Sequence, residues 1–321
     1  MTRKLLVPWL AAVSLLAGPG PARAEYPDRP IEVIVPVPPG GGLDLQARLL
    51  ADVVEPLLKQ KLVILNRAGG GGAVGMSVLL AAKPDGYTVA AVWNGPLTTN
   101  PHTQPVGYGV DDYVPIIQFS AAPFVLCAAP AFPANSGAEL IEHLRKNPGT
   151  YTYGNEGAGG TLQLAAERIF RTLGVRVRPI AFRGASETVN NFLGGHITFY
   201  GGGVASILPH VKAGKAKCLL LTSAGKNEVL PQAASLTELA IPQAETVLWR
   251  AIIAPKGVPP ERRAVLEAAF RQGAQSQRFL AFLKTLGETP MAAGPAEVGQ
   301  LIRTELEELG KVARELGMKR P

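Results

Sequence analysis

The chain has 321 residues, a formal net charge of +7 and only two cysteines. Its basic residues are scattered without interleaved aromatics, which argues against a nucleic-acid partner. His102, His143, His196 and His210 lie far apart, with no Cys-x2-Cys or His-x3-His spacing, so no metal and no cofactor is expected.

Residues 1–24 read as an export signal. Arg3 and Lys4 make a basic start, residues 5–17 an apolar stretch too short to span a bilayer comfortably, and Ala22-Arg23-Ala24 a cleavage site. Three of the 32 basic residues fall there and no acidic ones, so 29 against 25 remain and the charge drops to +4. That mild positive field suits an anionic small molecule. No cysteine follows the site to take a lipid anchor, and no later run is long enough for a membrane helix. A soluble protein outside the cytoplasm, beginning near Glu25, is expected.

Residues 31–35 (IEVIV) have the length and β-branching of a buried strand. The stretch 36–44 (PVPPGGGLD) ends it. Leu45, Leu49, Val53 and Leu57, flanked by Leu50, Val54 and Leu58, then mark one face of a helix whose last turn Pro56 bends. A strand, a glycine loop and a helix N-terminus suit an anion, because first-turn N–H groups are unpaired and carry the positive end of the dipole. Taken alone, the same glycines fit a plain turn.

Strands at 62–65 and 87–92, with a helix through residue 82 between them, extend the alternation and predict a parallel sheet with helices on both faces. Residues 70–75 lack the Lys-Ser/Thr of a P-loop and the trailing acid of a dinucleotide site, and read as a tight crossing or an amide-lined wall. Residues 93–101 (WNGPLTTNP) read as an irregular loop. Asn94 there is a candidate cleft residue at a strand's C-terminal end, or else bonds its own turn.

Residues 124–129 (FVLCAA) are the next strand, and 136–139 (SGAE) a capping box opening a helix. Residues 151–170 repeat the opening theme, with a short strand, a glycine loop and a helix starting near Thr161. Two such loops facing each other across a cleft argue for a ligand site more strongly than either alone. Further strands fall at 177–182, 197–203, 217–223 and 247–255, with a second capping box at 235–238 (SLTE). From Pro259 onward the chain reads as three helices. Cys127 and Cys218 sit inside apolar strand runs and are expected as buried, inert thiols, although an exported protein permits a disulfide. No Gly-x-Ser-x-Gly elbow exists, and Ser206 with His210, one helical turn apart, is the best nucleophile–base pair. The chain is therefore not expected to be an enzyme.

Together these motifs resemble the Bug-type periplasmic solute receptors, also called tripartite tricarboxylate transporter substrate-binding proteins. YPDRPIEVIVPVPPGGGLD (26–44), NRAGGGGAVG (66–75), KPDGYT (83–88), YTYGNEGAGG (151–160), FRGASETVNNFLGG (182–195) and LPHVKAGKAKCLLLTS (208–223) carry the resemblance. It implies an α/β, two-lobed periplasmic binding protein of Venus flytrap form with two crossing hinge strands, placed at 124–129 and 247–253. Lobe one would be 25–123 plus 249–321, and lobe two 124–248. It further implies a monomer holding a small carboxylate (an amino acid, a di- or tricarboxylate or an aromatic acid), with transporter subunits or a membrane sensor kinase as partner.

Carried over by residue, the resemblance implies that backbone amides and ordered water hold the carboxylate. The first loop would supply Pro38, Pro39, Gly40, Gly41, Gly42, Leu43 and Asp44. The second would supply Gly154, Asn155, Glu156, Gly157, Ala158, Gly159, Gly160 and Thr161. Four positions depart from the family pattern: Gln163 replaces a His, Glu156 a small residue, Gly201 an Asp, and Leu43 a Thr or Ser. Asp44 reads equally as a helix-start residue, Arg183 as a ligand partner or a surface ion pair, and Glu156 as solvated or facing a ligand amine. Trp93 and Trp249 read as core.

Overall fold

The computed structural model describes residues 26–318, so the export signal read in residues 1–24 lies outside the described residues. β1 (Ile31–Val35) leads through α1 (Gly42–Leu58) to β2 (Leu62–Asn66), and then through α2 (Ala73–Ala81) to β3 (Thr88–Trp93). β1 pairs in parallel with both neighbours, as strands joined by crossover helices do. After a π-helical turn (Gly95–Thr99) and the short α3 (Asn100–Thr103), the chain enters β4 (Tyr113–Ala128), a strand of 16 residues. α4 (Gly137–Lys146), β5 (Thr152–Asn155), α5 (Thr161–Thr172), β6 (Arg178–Ala181), α6 (Ala185–Leu193), β7 (Phe199–Gly203), α7 (Val204–Lys212) and β8 (Lys217–Leu221) follow. The chain returns along β9 (Val247–Pro255) and finishes with α8 (Pro260–Ala274), α9 (Gln277–Thr285), β10 (Thr289–Pro290) and α10 (Pro295–Glu315).

Two sheets share β4. Its first part pairs with β9, completing the order β2-β1-β3-β9-β4, and its last residues pair with β7 and β8 beside β5 and β6. Alternate residues of a strand face opposite sides, so Leu126 and Ala128 pack toward α4 and α5, while Val125 and Cys127 pack toward α6 and α7. The first sheet is covered by α1, α8 and α9 on one side, with Leu50, Val54, Leu266 and Phe279 in the core, and by α2 and α10 on the other. The two chain crossings are tacked together by Thr222, whose Oγ1 accepts from Phe124 N at 3.0 Å and donates to Thr246 O at 2.6 Å.

Several expectations are corrected. The strand read at 124–129 is the end of a much longer one, and β4 and β9 make the sheets mixed, since both pair antiparallel. Of the loop read at 93–101, Trp93 ends β3 and the rest is helical. Pro96 and Pro101 fall in first turns, where a missing N–H costs nothing, and Thr98 Oγ1 donates to Asn94 O at 2.9 Å. Ser235 and Glu238 do exchange capping bonds, but Ala240 turns left-handed (φ 58) just before Pro242, so only a turn forms. Cys127 and Cys218 are not free thiols. Antiparallel pairing of β4 with β8 sets them opposite each other, and they form a disulfide.

Candidate functional site

Four helices begin at the cleft between the two sheets: α1, α5, α6 and α7. Each has a glycine N-cap (Gly41, Gly160, Gly184 and Gly203) and no side-chain cap bond. By contrast α4 and α9 carry serine caps, Ser136 and Ser276. Glycine caps leave first-turn amides to be satisfied by something other than the helix's own side chains. Each N-terminus carries roughly +0.5 charge, so three of them, those of α1, α6 and α7, put about +1.5 of partial charge around one small space.

That space is a cavity walled by Val37, Pro38, Gly41, Gly42, Leu43, Trp93, Glu156, Ala185, Gly203, Ser206, Leu248 and Arg250. A second cavity shares Trp93 and Glu156 as its wall and adds Gly71, Asn100, Phe124, Gly157, Gly160, Thr161 and Leu162. Both are closed over by bonds between the lobes. Gly42 N donates to Ser206 Oγ at 3.2 Å, Ser186 Oγ to Pro39 O at 3.2 Å, and Thr103 Oγ1 to Gly159 O at 2.5 Å. The Thr99 and Thr161 hydroxyls meet at 2.8 Å. α10 also reaches across, with Leu309 and Ala313 packed on the buried Leu164 of α5.

Among the residues expected at the site, Pro38, Gly41, Gly42, Leu43 and Glu156 are brought together around the main cavity, with Gly157, Gly160 and Thr161 beside it. Ala158 and Arg183 border a third, outer opening that shares Gly71 and Gly157 with the second cavity and no residue with the first. Arg183 is exposed and paired with Glu187 at 3.1 Å, the surface ion pair of the two readings. Other residues are engaged within the protein. Asp44 is buried and accepts from Gly40 N, Arg48 and Asn66 Nδ2. Burial raises its carboxyl, but those bonds outweigh it and hold it below the usual range. Gln163 Oε1 accepts from Gly159 N, and Asn155 Oδ1 from Gly157 N, so both close their own loop. Pro39 and Gly40 are exposed on the outer side of the first loop. Gly154 and Gly201 lie within the sheet, hemmed in by Ile197 and Leu162. Asn94 is buried away from both cavities, donating to Val247 O at 3.0 Å and Glu305 Oε1 at 2.8 Å.

Sequence reasoning missed several wall residues, among them Trp93, which it read as core, and Arg250, the one that carries charge. Arg250 sits on β9 with its side chain 4% exposed, bonded through Nη1 to Glu288 at 2.5 Å and to Ser120 Oγ at 3.4 Å. Its Nη2 lies 3.5 Å from where a Cβ on Gly42 or Gly203 would stand, at the mouth of α1 and α7. Larger residues at either glycine would cover the guanidinium. Glu156 opens onto the cavity from the other loop. Burial pushes its carboxyl up, against Arg250's charge and a hydrogen bond from the Gly203 amide. Glu288 is raised by burial as well. The signal in the sequence was a lone arginine inside an apolar strand, since a buried charge requires partners.

The fold and this closed, amide-rich cleft define a two-lobed solute-binding protein. The chain belongs to the tripartite tricarboxylate transporter family receptors, whose family model matches residues 46–318. Protein BugT of Bordetella pertussis (strain Tohama I) is 30% identical over 323 residues, covering 99% of each chain. The solved structure of the periplasmic binding protein BugD matches with a TM-score of 0.85 at 26% identity, covering 92% of this chain and 100% of that one. Rpa4515 of R. palustris, solved with adipate, matches with a TM-score of 0.88 at 26% identity over the same shares. Among the described residues no helix is long and apolar enough to cross a membrane.

Proposed function

We propose that this chain, exported to the periplasm and cleaved near Ala24, captures a small carboxylate between lobes formed by residues 25–123 plus 249–321 and 124–248. It then delivers that ligand to a tripartite tricarboxylate-type transporter, acting as a receptor and not as an enzyme. The observation that supports this reading is that three glycine-capped helix N-termini, those of α1, α6 and α7, converge on one cavity while that of α5 opens on the adjoining one. Unpaired amides at the positive ends of helices recognise an anion of any carbon skeleton, and the walls of Trp93, Leu43 and Leu248 accept an apolar body. The adipate in Rpa4515 supports a carboxylate as the ligand class.

Titration calorimetry of residues 25–321 against small carboxylates and their methyl esters tests the reading. Carboxylates should bind and raise the melting temperature, by roughly 2.7–4.1 kcal/mol of stabilisation at 100 to 1,000 times the dissociation constant. Esters, with no charge to place on the amides, should not. Equal binding of acid and ester would sink the anion assignment.

A further inference from the structure

When Glu156 and Glu288 are both ionised the charges in the cleft do not cancel, and burial raises both carboxyls against that state. Glu288 and Glu156 flank one guanidinium, Arg250, so two carboxylates share a single buried cation. Glu288 is wholly enclosed and engages Nη1 of Arg250. Glu156 stands on the cavity wall. Its Oε1 lies 2.9 Å from where a Cβ on Gly202 would stand, and it accepts from the Gly203 amide that opens α7. The dipole of α7 is thus already spent on Glu156, and with Glu156 ionised one oxygen-rich face of the cavity is negative. The N-termini of α1, α5 and α6 remain on the other faces.

An excess negative charge in a water-poor site needs a counter-charge. A ligand carrying only carboxylates supplies none, and its second carboxylate would meet Glu156 directly. A ligand with a positive group supplies one, while its own carboxylate goes to the amides of α1 and α6.

Resting on the carboxylate reading above, we propose that the ligand is a zwitterion, a small amino-carboxylic acid whose ammonium group pairs with Glu156. Arg250 Nη2, at the junction of Gly42 and Gly203, faces the same space and donates to the ligand's carboxylate. Glu156 is the residue that selects amino acids over plain organic acids of equal size.

The test is titration calorimetry on residues 25–321, wild type and Glu156→Gln, with sets of three compounds sharing one carbon skeleton. Each set holds an amino acid, its deaminated carboxylic acid and its decarboxylated amine, drawn from α- and ω-amino acids. In the wild type the amino acid should bind roughly thirtyfold or more tightly than its deaminated partner. In Glu156→Gln that gap should shrink to a few-fold, with the melting curve of the unliganded variant showing that it folds. The wild-type comparison decides the matter even where the variant does not fold. A deaminated acid binding as tightly as its amino acid overturns the proposal, as does a gap that survives Glu156→Gln. An amine that binds without any carboxylate, lost in Glu156→Gln, upholds the role of Glu156 and removes the carboxylate reading instead.

Discussion

Replacing Glu305 by glutamine removes a buried titration that ties α10 to the chain crossings. The Glu305 carboxylate accepts from Asn94 Nδ2 at 2.8 Å and from Trp249 Nε1 at 2.7 Å. Burial outweighs these bonds and pushes its pKa from an ordinary 4.5 up to about 7. The folded state therefore holds this proton more tightly than the unfolded chain does. Its contribution to stability is fully present below about pH 4.5 and is lost as pH rises through about 7. The whole displacement is worth about 3 kcal/mol, a slope of about 1.4 kcal/mol per pH unit between pH 5 and 7. The glutamine has one carbonyl for two donors, so at pH 5 the variant should be less stable by roughly 1–3 kcal/mol. Wild type then loses stability with rising pH that the variant keeps, and by pH 8 the two should converge or cross. Glu156 and Glu288 titrate in the same direction in both proteins and cancel in the difference. Urea unfolding of both proteins at pH 5, 6, 7 and 8 measures it. A stability difference that stays constant across that range would refute the reasoning.

Arg250→Met leaves Glu288 buried without its cation and should cost roughly 3–5 kcal/mol in urea unfolding; adding Glu288→Leu should recover most of that loss. Replacing Cys127 and Cys218 with alanine opens a loop of 91 residues. The chain-entropy model sets the loss at roughly 4–5 kcal/mol, and a melting temperature indifferent to reductant in the wild type would contradict the pairing. Gly41 has φ −79, so a side chain there carries no backbone strain, and a Cβ would sit 3.8 Å from Ala185 Cβ and Ser186 Oγ. Gly41→Ala should therefore retain ligand. In Gly41→Leu the branch reaches about 2.5 Å further than Cβ, into the cavity or against α6. It should abolish binding in calorimetry while changing the unliganded melting temperature little.

The two glycine elbows were legible because everything that makes them is local. β-branched runs, breakers and four-residue apolar spacing lie within thirty residues of each other, and the structure starts α1 and α5 where those signals fall. What stayed hidden depends on pairing between distant segments. The register that sets Cys127 against Cys218 spans 91 residues and leaves no mark on either run. Arg250 belongs to an apolar strand by its neighbours, and its partner Glu288 enters from beyond two helices. Asn94 sits where cleft residues often do, yet it is claimed by Glu305, 211 positions away. Asp44 shows the intermediate case: its pairing with Arg48, four residues on, is readable on a helix, while the Asn66 bond that helps draw it away from the cavity is not.

The central claim is that a ligand carboxylate sits where the N-termini of α1 and α6 meet. A crystal structure of the protein with its tightest-binding carboxylate tests it directly. The account predicts a closed cleft with carboxylate oxygens about 3 Å, directly or through one water, from the amides of Gly41 or Leu43, on the side of the cavity bordered by Arg250. A carboxylate bound instead at the outer opening beside Arg183, or a cavity filled by the ligand's apolar end with its charge in solvent, would contradict it.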